Sequence, residues 1–287
     1  GVERECREVY DEDYEKYVYC PSDAWLLKIG SNGSLEWEKT FGDQFNDTGI
    51  SVLQTDDRGF IVLNQSDSGN ISVLKTDESG NLEWENSYRK DWISCCLVQT
   101  DDNGYAITGT IKHFYDPHVI LIKLGPNGNS EWERTFDNKG SLDYARGVEQ
   151  TQDGGYLIIG KTNAYGTDTF FYQRIEPDVW LIKTNPDGIV EWEKSYGGIA
   201  EEYGMLAHQD EEDSYFVIAI TGSYGNSGGS PSGYRGDIWI LKLDSDGNKI
   251  RDKVFGDIHS DEITAICHTD YNGYLLAGYS IAPNNGE

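Results

Sequence analysis

The chain has 287 residues, with 50 acidic against 23 basic side chains, a formal net charge of −27, 13% aromatic residues and 33 glycines. That length suffices for a real core, and the aromatic content excludes a disordered chain. So acidic a surface repels phosphate backbones and argues against nucleic acid as a partner. No apolar run approaches the roughly 18 residues of a bilayer-crossing helix, so no transmembrane segment is expected.

Residues 1–22 form an acidic, Tyr-rich extension, with REVYDEDYEKYVY bracketed by Cys6 and Cys20. A repeat begins at Asp23. Five segments read alike: DAWLLKIGSNGSLEWEKTFG from Asp23, NISVLKTDESGNLEWENSYR from Asn70, HVILIKLGPNGNSEWERTF from His118, DVWLIKTNPDGIVEWEKSYGG from Asp178 and DIWILKLDSDGNKIRDKVFG from Asp237. Their turn glycines Gly33, Gly80, Gly128, Gly188 and Gly247 recur at intervals of 47, 48, 60 and 59 residues. Each segment is followed by a second one, such as ISVLQTDDRGFIVLN or GVEQTQDGGYLIIG. The unit therefore holds four short strands rich in Val, Ile, Leu, Tyr and Trp, separated by Asp/Asn/Gly turns, with no helical period. Four antiparallel strands per repeat is the pattern of a propeller blade.

We label the QT-type strand A, the strand after its turn B, the WLIK strand C and the EWEK strand D. The chain opens on C and D and closes on A and B. One blade must then be assembled from both ends of the chain, which would remove exposed sheet edges. The expected fold is an all-β, five-bladed β-propeller of four-stranded antiparallel blades over residues 23–281, with a short tail at 282–287. The N-terminal C–D strands are expected to pair with the C-terminal A–B strands.

The motif G-x-x-x-W-x-x-x-x-G, followed by a turn of the D-G-G-Y type, resembles the tryptophan-docking repeats of quinoprotein-like propellers. It is still more similar to repeats of uncharacterised secreted and surface β-propeller proteins of bacteria and archaea. The resemblance covers residues 23–280 and implies a fold, not a cofactor. Quinoprotein dehydrogenases are eight-bladed and need a far longer chain.

Trp37, Trp84, Trp132 and Trp192 occupy one position of strand D, where the fifth unit has Arg251. Rings of this size are expected to pack between neighbouring sheets, as are Trp25, Trp180 and Trp239 of strand C. Lys28, Lys75, Lys123, Lys183 and Lys242 recur in every C strand and call for a carboxylate or carbonyl partner. Gln54, Gln99, Gln150 and Gln209, with His268, form another repeated position, suited to bonding backbone groups between blades. Asp47, Asp143, Glu202 and Asp261 recur where strand A begins; the second unit places Trp92 there, beside Asp91. Three readings stand for these acids: acceptors for backbone N–H groups of the D-to-A loop, an oxygen-rich ring for Ca2+ or another hard cation, or simple solvated charge.

In a repeat protein, departures from the repeat point to function. The B-to-C connections lengthen near 110–119, 161–179 and 222–237 and carry Phe114, Tyr115, Tyr165, Phe170, Phe171, Tyr172, Tyr224 and Tyr234. Such aromatics either offer platforms for sugar rings on one face of the scaffold or pack beneath their own loops. Arg146, Glu149 and His208 interrupt A strands whose other copies are mostly small or apolar. They are expected near the axis, Arg146 as a ligand contact and Glu149 with His208 as a candidate acid–base pair.

Five cysteines, with no metal or haem spacing, suggest a Cys6–Cys20 disulfide and small buried roles for Cys95, Cys96 and Cys267. N-x-[ST] sequons stand at Asn32, Asn46, Asn64 and Asn70. With an N-terminal Gly in place of Met and the excess acid, they suggest a processed glycoprotein that is secreted or at the cell surface; a halophilic host is another source of the charge. The leading expectation is a non-enzymatic binding or assembly module for a glycan or surface protein. The first alternative is a carbohydrate-active enzyme using Glu149, Asp143 and Glu202 as axial carboxylates. The second is a self-assembling sheath or filament subunit.

Overall fold

The computed structural model describes residues 7–10, 16–90, 92–111, 117–138, 142–163, 177–225, 236–257, 260–269 and 273–281. Every regular element among them is a β-strand. The extension contains a hairpin of β1 (Arg7–Tyr10) and β2 (Lys16–Tyr19). Next come β3 (Ala24–Ile29) and β4 (Leu35–Phe41), of types C and D.

Four complete antiparallel blades follow, each in the order A-B-C-D. The first is β5 (Asp47–Gln54), β6 (Phe60–Ser66), β7 (Asn70–Thr76) and β8 (Leu82–Lys90). The second is β9 (Trp92–Gln99), β10 (Tyr105–Ile111), β11 (His118–Leu124) and β12 (Ser130–Phe136). The third is β13 (Tyr144–Gln150), β14 (Tyr156–Thr162), β15 (Asp178–Thr184) and β16 (Val190–Tyr196). The fourth is β17 (Glu202–Gln209), β18 (Tyr215–Thr221), β19 (Asp237–Leu243) and β20 (Lys249–Phe255). The chain ends on β21 (Ser260–Thr269) and β22 (Gly273–Ile281), of types A and B.

The architecture is thus the five-bladed all-β propeller plan. Its fifth blade is supplied as complementary halves, β3–β4 and β21–β22, the strand types a closed ring requires. Each half forms a two-stranded sheet, and no ladder between β22 and β3 occurs among the described residues. This bears on Trp25, which is 63% exposed although its counterparts Trp180 and Trp239 are 2% and 1% exposed. Cys267, expected to be buried, is likewise exposed, because it lies on the terminal half-blade; Cys96 is half-buried.

Burial explains the sequence pattern of each strand type. Strands B and C lie in mid-blade with sheets stacked on both faces, so β10 and β11 are buried along almost their whole length and read as unbroken apolar runs. Strand D forms the outer edge, and β4 alternates exposed and half-buried residues as LEWEKTF.

The strand-D tryptophans hold neighbouring blades together. Trp37, Trp84, Trp132 and Trp192 stand 5.4, 6.1, 5.7 and 5.6 Å, centroid to centroid, from Phe60, Tyr105, Tyr156 and Tyr215 of the next blade. Each also lies against that blade's C–D turn, where the indole N–H of Trp37 donates to the Glu78 carbonyl at 3.1 Å and that of Trp192 to Ser245 at 3.2 Å. The turn residue must be glycine for two reasons. At Gly188 φ is +72°, and a Cβ would stand 2.7 Å from the Trp132 ring. Gly33, at the terminal half-blade, has φ +82° and no atom within 4 Å of such a Cβ.

The repeated lysines are paired as the sequence suggested. Lys183, 3% exposed, bridges Asp153 at 2.7 Å and Glu191 at 2.8 Å; Lys75 and Lys123 do the same with Asp57 and Glu83, and with Asp102 and Glu131. Lys28 pairs with Glu36 and Lys242 with Asp210. The repeated glutamines join blades. Gln150 accepts the Asp101 N–H at 2.8 Å, and Gln209 accepts that of Gln152 at 2.7 Å.

Candidate functional site

The recurrent acids at the start of strand A hold the D-to-A loops. Asp47, 4% exposed, accepts the Asp43 N–H at 2.7 Å. Asp143, fully buried, accepts the Asn138 N–H at 2.9 Å. Glu202, also buried, accepts N–H groups of Gly198 at 2.8 Å and Ser223 at 2.9 Å. A partner acid that the sequence reading missed sits at the start of strand C. Asp23 with Asp47, Asp178 with Glu202, and Asp237 with Asp261 converge on Gly42, Gly197 and Gly256, where a Cβ would collide with both carboxylates. Burial, then the Glu202 charge, pushes Asp178 up to about 6. Among the described residues no group of three or more His, Cys, Asp or Glu is arranged to hold a metal ion.

Glu149 and His208 do meet. They occupy the same position of adjacent A strands, with Glu149 Oε2 2.9 Å from His208 Nδ1, while Oε1 accepts the Gln209 N–H at 3.1 Å. The His208 ring lies 6.2 Å from Tyr274, which stacks on Phe216 at 4.6 Å. The pair therefore joins two blades, and both oxygens of the acid are engaged.

Arg146 is placed by a feature that sequence spacing did not reveal. All five A strands shift register at one position, leaving Ile50, Cys95, Arg146, Met205 and Thr264 as the unpaired bulge residue. A bulge turns its extra residue out of the ladder, and only Arg146 is charged. It lines a cavity of about 630 Å³ between the third, fourth and terminal blades, with Tyr144, Lys161, Tyr203, Glu262 and Tyr279. Lys161 Nζ lies 5.2 Å from the Tyr144 ring centre and 5.9 Å from that of Tyr203, in cation–π geometry. Tyr279 donates its hydroxyl to Glu262. Burial pushes the Tyr203 phenol up to about 12, so it stays neutral at physiological pH.

Sequence reasoning found Arg146 but not Lys161, Tyr144, Tyr203, Glu262 or Tyr279. Lys161 left a signal, since the other B strands carry Gln65, Thr110, Ile220 and Tyr279 at its position. Of the loop aromatics, Tyr224 is 38% exposed and stands 4.9 Å from Trp239, with its hydroxyl donated to the Gly197 carbonyl at 2.6 Å. Tyr115, Tyr165, Phe171, Tyr172 and Tyr234 lie outside the described residues. Of the sequons, Asn64 is corrected: it is 2% exposed and its amide donates to Asp47 at 3.2 Å, leaving no room for a glycan. Asn32 is exposed in a turn; Asn46 and Asn70 are half-buried. Cys20 is disulfide-bonded; Cys6 lies outside the described residues.

No protein-family model matches the chain, and no curated protein matches it in sequence. Solved structures similar to it include a protein of unknown function from Bacteroides caccae, at 11% identity and TM-score 0.34, covering 82% of this chain and 94% of that one. A thermostable family-43 glycoside hydrolase matches at 11% identity and TM-score 0.39, covering 81% and 93%. A Synechocystis apocarotenoid oxygenase variant matches at 11% identity and TM-score 0.42 over 71% of this chain, which spans only 48% of the oxygenase.

Proposed function

We propose that this propeller is a non-catalytic binding module of the cell exterior or surface, holding a glycan in the cavity at the bulged A strands. The supporting observation is the cavity itself. About 630 Å³ suits a small polar ligand. Tyr144, Tyr203 and Tyr279 supply flat apolar faces with polar rims. The disulfide-bonded Cys20 fits an oxidising compartment, with Cys6 as the proposed partner.

The candidate catalytic acids are otherwise engaged. Asp143 and Glu202 are buried as loop acceptors, and Glu149 is held by His208 and the Gln209 backbone. This favours binding over hydrolysis. A glycan array followed by calorimetry tests it. A retained glycan should lose at least tenfold in affinity with Tyr203→Ala and should be recovered uncleaved. Binding that ignores Tyr203→Ala and Tyr144→Ala moves the site elsewhere, and cleavage of the retained glycan restores the hydrolase reading.

A further inference from the structure

We infer that the ligand of this cavity is an acidic sugar whose carboxylate is held by Arg146 and Lys161. The inference rests on the glycan-binding reading and adds the chemical class. It starts from an imbalance: in a chain of net charge −27, cations are scarce, and the repeated lysines of all five C strands are paired with carboxylates. Arg146 and Lys161 differ. No ion pair to either is found among the described residues, and Lys161 is flanked by the faces of two tyrosines in place of an acid.

Both cations belong to the third blade, Arg146 on the bulge of β13 and Lys161 near the end of β14. Ala145 and Lys161 occupy adjoining rungs around that bulge, Ala145 opposite Gly160 and Tyr144 opposite Lys161. One wall of the cavity is thus locally basic inside an acidic protein, where a guanidinium fork and an ammonium can share one carboxylate.

The lining contributed by the terminal blade carries Asp261 and Glu262, the latter bonded by the Tyr279 hydroxyl. Those acids accept hydroxyl groups and repel a second anion. A bare phosphate would use only the basic wall, whereas a sugar acid uses both: carboxylate toward Arg146 and Lys161, ring hydroxyls toward the acids, ring face on a tyrosine. The cavity's polarity selects a bipolar ligand.

Two sources share this chemistry, uronic acids and sialic acids. The probes are oligogalacturonate against its methyl ester, and sialyllactose against lactose, by calorimetry at low and moderate salt. At least one acidic probe should bind ten or more times tighter than its neutral counterpart, with the preference shrinking as salt rises. Arg146→Met and Lys161→Met should each erase most of that preference without changing the melting temperature, while Arg146→Lys keeps part of it. Whichever pair shows the preference names the source. Equal binding of acidic and neutral probes overturns the inference and leaves the glycan reading standing, as does a preference that survives both methionine variants. Failure of all four probes to bind overturns the inference; if the array is also blank, the glycan reading falls with it.

Discussion

Interior and terminal parts of this molecule carry the same repeat and lead different lives. On β15, Trp180 and Ile182 are 2% and 1% exposed; their counterparts on β3, Trp25 and Leu27, are 63% and 40% exposed. On β14, Leu157 is 1% exposed, whereas Leu275 of β22 is 63% exposed. A repeat does not bury itself. Its apolar faces are covered by the blade before, the blade after and the strand alongside, so position in the array sets the contribution of each copy. The β14–β15 register also indicates how the halves would meet: Gly160 faces Trp180, and the aligned residues would set Gly278 opposite Trp25.

The largest contrast to measure is between the two tryptophans. Trp180→Ala should lower unfolding free energy in urea by about 3–5 kcal/mol, whereas Trp25→Ala, at an exposed position, should cost less than about 1 kcal/mol. Equal losses would show that β22 has paired with β3 in solution. Next come the turn glycines. Gly188→Ala forces an L-residue to φ +72° and also pushes the Trp132 ring away, so it should cost more than the ~1–2 kcal/mol of backbone strain alone. Gly33→Ala pays only that strain, since its Cβ meets nothing. Similar values would mean that Arg251 or another group covers the Gly33 turn.

The smallest effects are in pH dependence, where two aspartates act in opposite directions. Asp178 is raised to about 6 by burial and the Glu202 charge. The folded state therefore binds its proton more tightly than the unfolded chain, and its stabilising effect, complete below about pH 4, is lost as pH rises through 6. Asp57 is lowered to about 2, mainly by its hydrogen bond to Lys75. Its contribution is complete above about pH 4 and is lost as pH falls through 2. Urea midpoints followed across pH should lose the first step in Asp178→Asn and the second in Asp57→Asn. Persistence of the first step would reassign it to Glu202 or another acid.

The blade plan was legible because each strand reports its own surroundings. The unbroken YLIIG and WLIK runs reflect strands covered on both faces, and EWEK reflects an outer edge. The tryptophan and glycine spacing marked the interblade contact before any partner was known. The cavity was less legible. Arg146, Glu149 and His208 stood out as departures, but nothing local to residues 144–149 says that the strand bulges there. Nor does it show that Lys161 faces Tyr203, or that Glu149 reaches a histidine 59 residues away. The second acids Asp23, Asp178 and Asp237 were hidden because an aspartate at a strand start looks like any turn residue.

Strand number, strand type, blade repetition and the need of the recurrent lysines and glutamines for a partner were determined by the sequence itself, since each follows from a period. Which copy is buried, which acid is forced to hold its proton and which two cations share a cavity with three tyrosines were decided only when the sheets came together. Those properties depend on distances between residues far apart along the chain, and register and burial alone set them.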